Sequence, residues 1–267
     1  MKRVLLLIHD DPGQEARLIA ALAMVRATGA ELYCLGVTVS PVMVSACYDP
    51  RAEALLEQEE REREAANKTA LQARIAEQGV AWRWCDAIGR IASCLRDLAP
   101  TADLLVVSRS LESYCDQDMR AVAAELVEKS GRPVLVVPEH LNSLAMDGRV
   151  LVAWNGSPQS SRAVRVALPL LHLAQDVILY EVGVSRGRVS IGRVHAFLAR
   201  QGIKVRVLKD ELSGTRAESM LLRAIAAERA EYVIMGGFGR RPFVEALFGG
   251  VTRTMLSQSP VPLLLAH

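Results

Sequence analysis

Aromatic residues, long apolar runs and charge of one sign are all scarce in this 267-residue sequence. Phe, Trp and Tyr make up 4% of it and hydrophobic residues 51%, which predicts a packed, mainly aliphatic core and argues against disorder. A net charge of +2 excludes a whole-chain basic surface for nucleic acid. No apolar stretch approaches the ~20 residues of a membrane-spanning helix, so no membrane partner is expected.

Cysteines are few and unpatterned. There are five, an odd number without a CxxC pair, so a disulfide scaffold is not expected. Buried cytosolic thiols are favoured, and a zinc site of Cys85, Cys94 and a distant His is the alternative. The run 1–8 resembles the start of a signal peptide, but it is short and lacks a small-residue cleavage site. We interpret it as a first buried strand in a cytoplasmic protein.

The sequence contains an internal repeat. Segments of the first half recur in the same order in the second: 3–9 and 149–155, 31–37 and 176–182, 79–84 and 202–207, 102–107 and 230–235, 130–137 and 259–266. Short aliphatic segments alternate with amphipathic stretches, so each copy is predicted as β-α-β-α-β-α-β-α-β, an α/β fold with a parallel sheet covered on both faces. The stretch 138–148 joins the copies.

The first copy carries an insertion of about two dozen residues between 38 and 79. Within it, residues 51–64 contain six Glu and three Arg. The pattern predicts a long helix with i,i+4 charge pairs. A solvated helix surface is favoured, and a partner-binding helix is the alternative.

A glycine-rich segment follows the fourth strand of the second copy. The strand ends at Met235, glycines follow at 236, 237 and 239, and Gly249 and Gly250 open a helix. Glycine permits close backbone approach to a ligand, and free N–H groups at a helix start favour an anion. Arg240 and Arg241 add positive charge, so a phosphate-bearing ligand is predicted. The alternative is a glycine turn that packs helix against sheet beside an empty pocket.

Known phosphate-binding motifs do not describe this segment. The Walker motif GxxxxGK[ST] is absent, and the third glycine of GxGxxG is replaced by Pro242. The segment instead resembles the nucleotide signature of the universal stress protein family: Gly, two residues, Gly, nine residues, Gly, then Ser or Thr. Gly236, Gly239 and Gly249 match, and Gly250 stands where Ser or Thr is usual. Residues 155–157, Asn-Gly-Ser, resemble the family's first-strand Asp-Gly-Ser.

The resemblance implies two tandem universal stress protein domains, 1–145 and 146–267, each a doubly wound five-stranded parallel sheet of order 3-2-1-4-5, the adenine nucleotide alpha hydrolase-like fold. The resemblance also implies ATP, with Mg²⁺ or another divalent cation, at the carboxyl ends of strands one and four of the second domain. The implied binding residues are Ala153, Asn155, Val182, Met235, Gly236, Gly239, Arg240, Gly249, Gly250, Val251 and Thr252.

The same resemblance assigns a place to each of these residues. Ala153 and Asn155 would lie beside the adenosine, and Val182 near the adenine. Met235 and Gly236 would flank the ribose. The six remaining residues would surround the phosphates. No catalytic side chain and no protein ligand of a metal is implied.

The first copy is expected not to bind ATP. Residues 108–118 contain no glycine and several acids where phosphates would lie, so this domain is interpreted as degenerate, a structural or sensing partner. His9 occupies the position of Asn155 and could touch a ligand, although strand-end packing is favoured. Trp82 and Trp84 share a strand face and are expected in the core.

The predicted function is a stress-response regulatory protein that binds an adenine nucleotide in its C-terminal domain. A slow ATPase or phosphotransferase and a nucleotide-free scaffold are the alternatives; Glu245 is the one acid in the glycine loop, which argues against efficient transfer. The resemblance also implies that the two domains pair through their last strands as a pseudo-dimer, and a homodimer is possible. Residues 1–146 carry 16 Lys and Arg against 21 Asp and Glu, and residues 147–267 carry 16 against 9, which favours an anionic ligand in the second domain.

Overall fold

The chain forms an α/β structure in two similar halves. The computed structural model describes residues 1–39, 50–110, 118–183, 189–212, 214–238 and 250–267, with the side chains of 50–54 excepted. The first half contains β1 (Arg3–Ile8), α1 (Gln14–Thr28), β2 (Glu31–Thr38), α2 (Pro50–Ala76), β3 (Trp82–Ile88), α3 (Ile91–Leu98), β4 (Leu104–Ser108), α4 (Met119–Lys129) and β5 (Val134–Val137). The second contains β6 (Arg149–Trp154), α5 (Pro158–Val166), α6 (Leu168–Leu171), β7 (Asp176–Val182), α7 (Ile191–Arg200), β8 (Val205–Asp210), α8 (Ala217–Glu228), β9 (Tyr232–Gly236), α9 (Gly250–Gln258) and β10 (Leu263–Ala266).

One sheet runs through both halves. Its strand order is β3-β2-β1-β4-β5-β10-β9-β6-β7-β8, so the predicted order 3-2-1-4-5 occurs twice and is confirmed. Pairing is parallel within each half, and β5 and β10 meet antiparallel with Leu264 opposite Leu135. The predicted pairing of the two copies through their last strands is therefore confirmed.

Helices cover both faces of the sheet. Along β1, Val4, Leu6 and Ile8 enter one buried cluster, and Leu5 and Leu7 enter the other. Such two-sided burial explains why the strand is a continuous aliphatic run. The first cluster also takes residues from α1, α2, α5, α6 and α7, and the second from α3, α4, α8 and α9.

The third strand of each half begins later in the sequence than the repeated segment from which it was predicted. β3 starts at Trp82 and β8 at Val205, because Gly79 and Gly202 adopt positive φ angles of 66° and 77° in the preceding turns. Trp82 and Trp84 are only half-buried and pack against the first cluster from outside, so the expectation that they lie in the core is met only in part.

Helix α2 is the predicted long charged helix. Arg61 pairs with Glu57 at i,i+4 on its outer side, while Leu71 and Ile75 enter the core. The expectation of a wholly solvated charged face is wrong at Glu60 and Glu64, because both side chains are buried against the end of β1.

Candidate functional site

The candidate site lies where β6 and β9 end side by side. Ala153 lies opposite Met235 in the parallel register, so the two carboxyl ends meet at one edge of the sheet. Helix α5, which follows β6, packs on one face of the sheet. Helix α9, the next described element after β9, packs on the other face. A crevice between strands whose helices diverge in this way is the usual ligand position in open parallel sheets.

Residues 155–157 close the turn from β6 into α5. Gly156 has a φ of 71°, the Ser157 N–H donates to Asn155 Oδ1 (3.1 Å), and the Ser160 N–H donates to Ser157 Oγ (3.1 Å). Ser157 is thus the N-cap of α5, and Pro158 occupies its first position. Asn155 is exposed at the sheet edge and uses its carbonyl oxygen to hold the turn, as an Asp would.

Gly236 permits a close approach between β9 and α5. A Cβ at this position would lie 2.4 Å from the Ser160 backbone nitrogen and 2.6 Å from the Gln159 carbonyl carbon. The N-terminus of α5 therefore rests directly on the end of β9. Nearby, the Gly237 N–H donates to the Ala266 carbonyl (2.9 Å), which continues the pairing with β10.

The remaining predicted residues lie at the end of β7, at the start of α9, or outside the described residues. Val182 ends β7, the strand next to β6, and is half-buried. Gly250, Val251 and Thr252 begin α9: Gly250 is exposed, a Cβ added to it would meet no atom within 4 Å, and Thr252 is buried. Gly239, Arg240 and Gly249 lie outside the described residues. The structure thus gathers Ala153, Asn155, Met235 and Gly236 at one edge, whereas it does not test whether they bind a ligand.

Buried polar atoms without a hydrogen-bond partner occur at this edge. They are Trp154 Nε1, Gln159 Oε1 and Glu181 Oε1, and Glu181 pairs with Trp154 in the register of β7 and β6. Such atoms are costly unless a ligand or water satisfies them. They provide one donor and two acceptors, which suits a polar ligand with both kinds of group.

A tyrosine on β7 lies on the opposite face of the sheet from Glu181, in the second buried cluster. Tyr180 donates a 2.7 Å hydrogen bond to Asp210 Oδ2 on β8. Burial, followed by the hydrogen bond to Asp210, raises the pKa of Tyr180 well above its usual range. The phenol therefore stays protonated at neutral pH and holds β7 against β8 beyond Glu181.

The corresponding edge of the first half is filled by an ion pair. Arg17 of α1 is fully buried and pairs with Asp11 (2.5 Å), and its Nη1 donates to Ser108 Oγ (2.6 Å) at the end of β4. It also donates to the carbonyls of Leu7 and His9. Sequence reasoning missed this network, which fills the edge where a ligand of the first half would lie, and the absence of a nucleotide there stays a prediction.

Three cysteines lie among the described residues, and all are free. Cys34 is buried, and burial raises the pKa of its thiol to about 12. Cys85 and Cys94 are half-buried, so the expectation of buried thiols is wrong for them. Neither belongs to a group of three potential metal ligands in the described part of the chain, so the structure gives the zinc alternative no support. Cys47 and Cys115 lie outside it.

A search of the described helices for membrane spans finds none that is long and apolar enough to cross a bilayer.

Comparison with known proteins points to one family. The model of the universal stress protein family matches residues 146–267. Universal stress protein Slr1230 from Synechocystis sp. is 22% identical over 184 residues, which cover 66% of this chain and 62% of that protein. This chain thus spans less than two thirds of that relative's length.

One solved structure shares the fold over almost the whole chain. A universal stress protein from Archaeoglobus fulgidus superposes with a TM-score of 0.77 at 16% identity, covering 99% of this chain and 95% of that chain. A family member from Arabidopsis thaliana, solved with AMP bound, is 16% identical and covers 52% of this chain and 92% of that chain, with a TM-score of 0.38. The first likeness extends the fold over both halves, and the AMP is a property of the second protein alone.

Proposed function

The model of the universal stress protein family matches residues 146–267 of this chain, and from this premise we propose that the C-terminal half binds ATP or another adenine nucleotide. In this proposal the protein is a cytoplasmic stress-response regulator. Nucleotide occupancy favours one of two conformations, and partners recognise that conformation. The protein is a binding module rather than an efficient enzyme.

The observation that carries the proposal is the position of the edge formed by β6 and β9. The helices that follow these neighbouring strands lie on opposite faces of the sheet. The edge combines a backbone turn at 155–157, a glycine-permitted contact at Gly236 and buried polar atoms that need partners. These features suit a ligand with a polar base and a sugar.

The phosphates belong, in this proposal, at the start of α9. The first N–H groups of a helix have no partner within it and favour negative charge. Gly250 presents them without a side chain, and open space surrounds it. A divalent cation bound with the nucleotide would screen the phosphate charge, and the net positive charge of residues 147–267 would add to the attraction.

A matched pair of variants at Gly250 tests this assignment. Gly250→Ala adds a methyl group to open space, and Gly250→Asp adds a carboxylate that repels phosphate. We expect millimolar ATP with Mg²⁺ to raise the melting temperature of wild type and Gly250→Ala, but not of Gly250→Asp. An equal shift in all three proteins would contradict phosphate binding at α9.

Ligand release tests the proposal without a variant. The full chain is purified without added nucleotide and denatured, and small molecules are identified by mass spectrometry. Released ATP or another adenine nucleotide supports the proposal. If none is released and ATP gives no thermal shift, the nucleotide hypothesis fails and the scaffold alternative is favoured. ADP that accumulates from added ATP would instead favour slow hydrolysis.

A further inference from the structure

A buried cluster at the end of β1 combines an imidazole with two carboxylates. His9 is 0% exposed, and Glu60 and Glu64 of α2 are 5% and 9% exposed. The two glutamates are four residues apart on a helix, so they project from the same face. This places one nitrogen and two oxygen donors together in the first half, far along the sheet from the proposed nucleotide site.

The spacing of these donors suits a metal ion. His9 Nδ1 lies 2.8 Å from Glu64 Oε1 and 3.9 Å from Glu60 Oε1, and the three ligand atoms lie within 4.8 Å of one another. Metal–ligand bonds of about 2.1 Å in a tetrahedral site place neighbouring donors about 3.4 Å apart. The observed distances fall on either side of that value, so small side-chain movements suffice to bind an ion.

The hydrogen bonding of the cluster is incomplete. His9 Nδ1, His9 Nε2 and Glu60 Oε1 are buried without a hydrogen-bond partner, although His9 Nδ1 and Glu64 Oε1 are in close contact. The imidazole is therefore near the carboxylates but poorly aligned to donate to them. Buried polar atoms without a partner, such as His9 Nε2 and Glu60 Oε1, are costly unless water or an ion satisfies them.

Surrounding contacts fix the two carboxylates. Glu64 Oε1 accepts from the Asp10 N–H (3.0 Å), Glu64 Oε2 from Asn67 Nδ2 (3.4 Å), and Glu60 Oε2 is paired with Arg63. Outer contacts of this kind orient the ligands of metal sites. The guanidinium of Arg63 also lies 3.8 Å from Asp10 Oδ2, so the carboxylates around the cluster outnumber the guanidinium, which favours a cation.

We propose that His9, Glu60 and Glu64 bind one divalent first-row transition-metal ion of the zinc or manganese class, with water in a remaining position. Mixed imidazole and carboxylate donors match this class better than Ca²⁺ or Mg²⁺, which prefer oxygen alone. The ion would join α2 to the carboxyl end of β1. The competing arrangement is a protonated His9 held by the two glutamates with no metal.

Zinc binding to the full chain tests the proposal. After treatment with a chelator, titration calorimetry with Zn²⁺ at neutral pH should give one equivalent, with proton release as the ligands bind. Glu60→Gln keeps the shape of the side chain but removes a ligand, and should weaken binding at least about tenfold. Glu57→Gln, the same change one turn earlier on α2 at the pair with Arg61, should bind zinc as wild type does.

Two outcomes would overturn the site. One is the absence of a saturable Zn²⁺ equivalent; the other is equal affinity in wild type and Glu60→Gln, with circular dichroism showing that both are folded. His9→Gln provides a second variant, and it must lose binding as well.

Cobalt substitution distinguishes this cluster from the thiols. Co²⁺ bound by nitrogen and oxygen in a site of low coordination number gives visible d–d bands without a sulfur-to-cobalt charge-transfer band. We expect such a spectrum in wild type and Glu57→Gln, and its loss in Glu60→Gln. A charge-transfer band that persists in Glu60→Gln would assign the metal to cysteine and contradict the proposal.

Discussion

At the scale of single residues, the equivalent sheet edges of the two halves are built from different side chains. In the first half, Arg17 fills it and pairs with Asp11 and Ser108, whereas in the second half Gly236 leaves its β9 end without a side chain. A Cβ on Gly13 would lie only 2.7 Å from Ser108 Oγ, which indicates how tightly the first edge is packed. The first edge is thus closed by a buried ion pair, and the second by backbone packed against a glycine.

Replacement of Arg17 should be strongly destabilising. Arg17→Met leaves the carboxylate of Asp11 buried without its partner, and loss of one member of a buried ion pair costs about 3–5 kcal/mol. The free energy of unfolding in urea measures the effect. Arg74→Met, which removes an exposed pair with Glu15, should cost no more than about 1 kcal/mol. Equal costs in the two variants would contradict a structural role for the buried network.

Asp103 makes the stability of the N-terminal strand depend on pH. Burial raises the pKa of its carboxyl, but hydrogen bonds from the Lys2 and Arg3 N–H groups outweigh burial, and the pKa lies below its usual value. A lowered pKa in the folded state contributes stability above the unfolded value of about 3.9, and this contribution is lost as pH falls through the folded pKa.

Asp103→Asn should therefore be less stable than wild type at pH 7, and the difference should shrink as pH falls below about 4. Urea midpoints measured across this range test the expectation. A difference that stays constant with pH would mean that the lost charge is not the cause.

At the scale of elements, the contact between α5 and β9 is the most restrictive. Gly236→Ala places a methyl group against the backbone of Gln159 and Ser160, which cannot move without shifting α5. We expect a loss of about 1–3 kcal/mol in the free energy of unfolding. Gly192→Ala provides the control, since this glycine lies exposed in α7 with nothing within 4 Å, and a gain of up to about 1 kcal/mol is expected. A neutral result at Gly236 would contradict the close approach.

Elements were predictable from the sequence to different degrees. Strand positions followed from aliphatic runs that repeat in order, and the long helix α2 followed from its charge pattern. The strand order came from the family resemblance rather than from periodicity. The later starts of β3 and β8 escaped prediction because the apolar residues after Gly79 and Gly202 resemble strand residues in sequence but precede the strands in the structure.

The side-chain clusters could not be predicted. His9 and the glutamates of α2 are distant in sequence, and only the packing of α2 on the sheet brings them together. The sequence of a charged helix does not indicate which of its charged side chains become buried. Arg17 lies in a helix rich in apolar residues, where arginine is typical of a solvent-facing position, and its partner Ser108 belongs to β4, which is distant in the sequence. The turn at 155–157 was recognisable because its residues are adjacent.

At the scale of the whole molecule, the antiparallel seam between β5 and β10 makes the sheet continuous. Leu135 and Leu264 lie opposite each other in the register, and both are buried in the same cluster, which draws on both halves. A destabilising substitution on one side of the seam should therefore also lower the stability of the other half. Independent domains joined by a linker would behave differently.

A fluorescence experiment tests this coupling. Trp82 and Trp84 lie in the first half and Trp154 in the second, so Trp154→Phe confines the signal to the first half. In that background, Leu264→Ala should cost about 2–5 kcal/mol and lower the urea midpoint of Trp82 and Trp84 fluorescence as much as that of circular dichroism. An unchanged fluorescence midpoint would mean that the halves unfold separately.

Because both pairing units belong to one chain, the seam between β5 and β10 always joins them in a ratio of one to one. Two unlike α/β units that meet edge to edge in one polypeptide form a covalent heterodimer, always one to one and insensitive to dilution. A single-unit chain that paired through the same strand would separate at low concentration, and mixed populations could exchange partners. Here every molecule carries one edge closed by Arg17 and one bearing Gly236, so each half can diverge by mutation while its pairing strand keeps the partner in place.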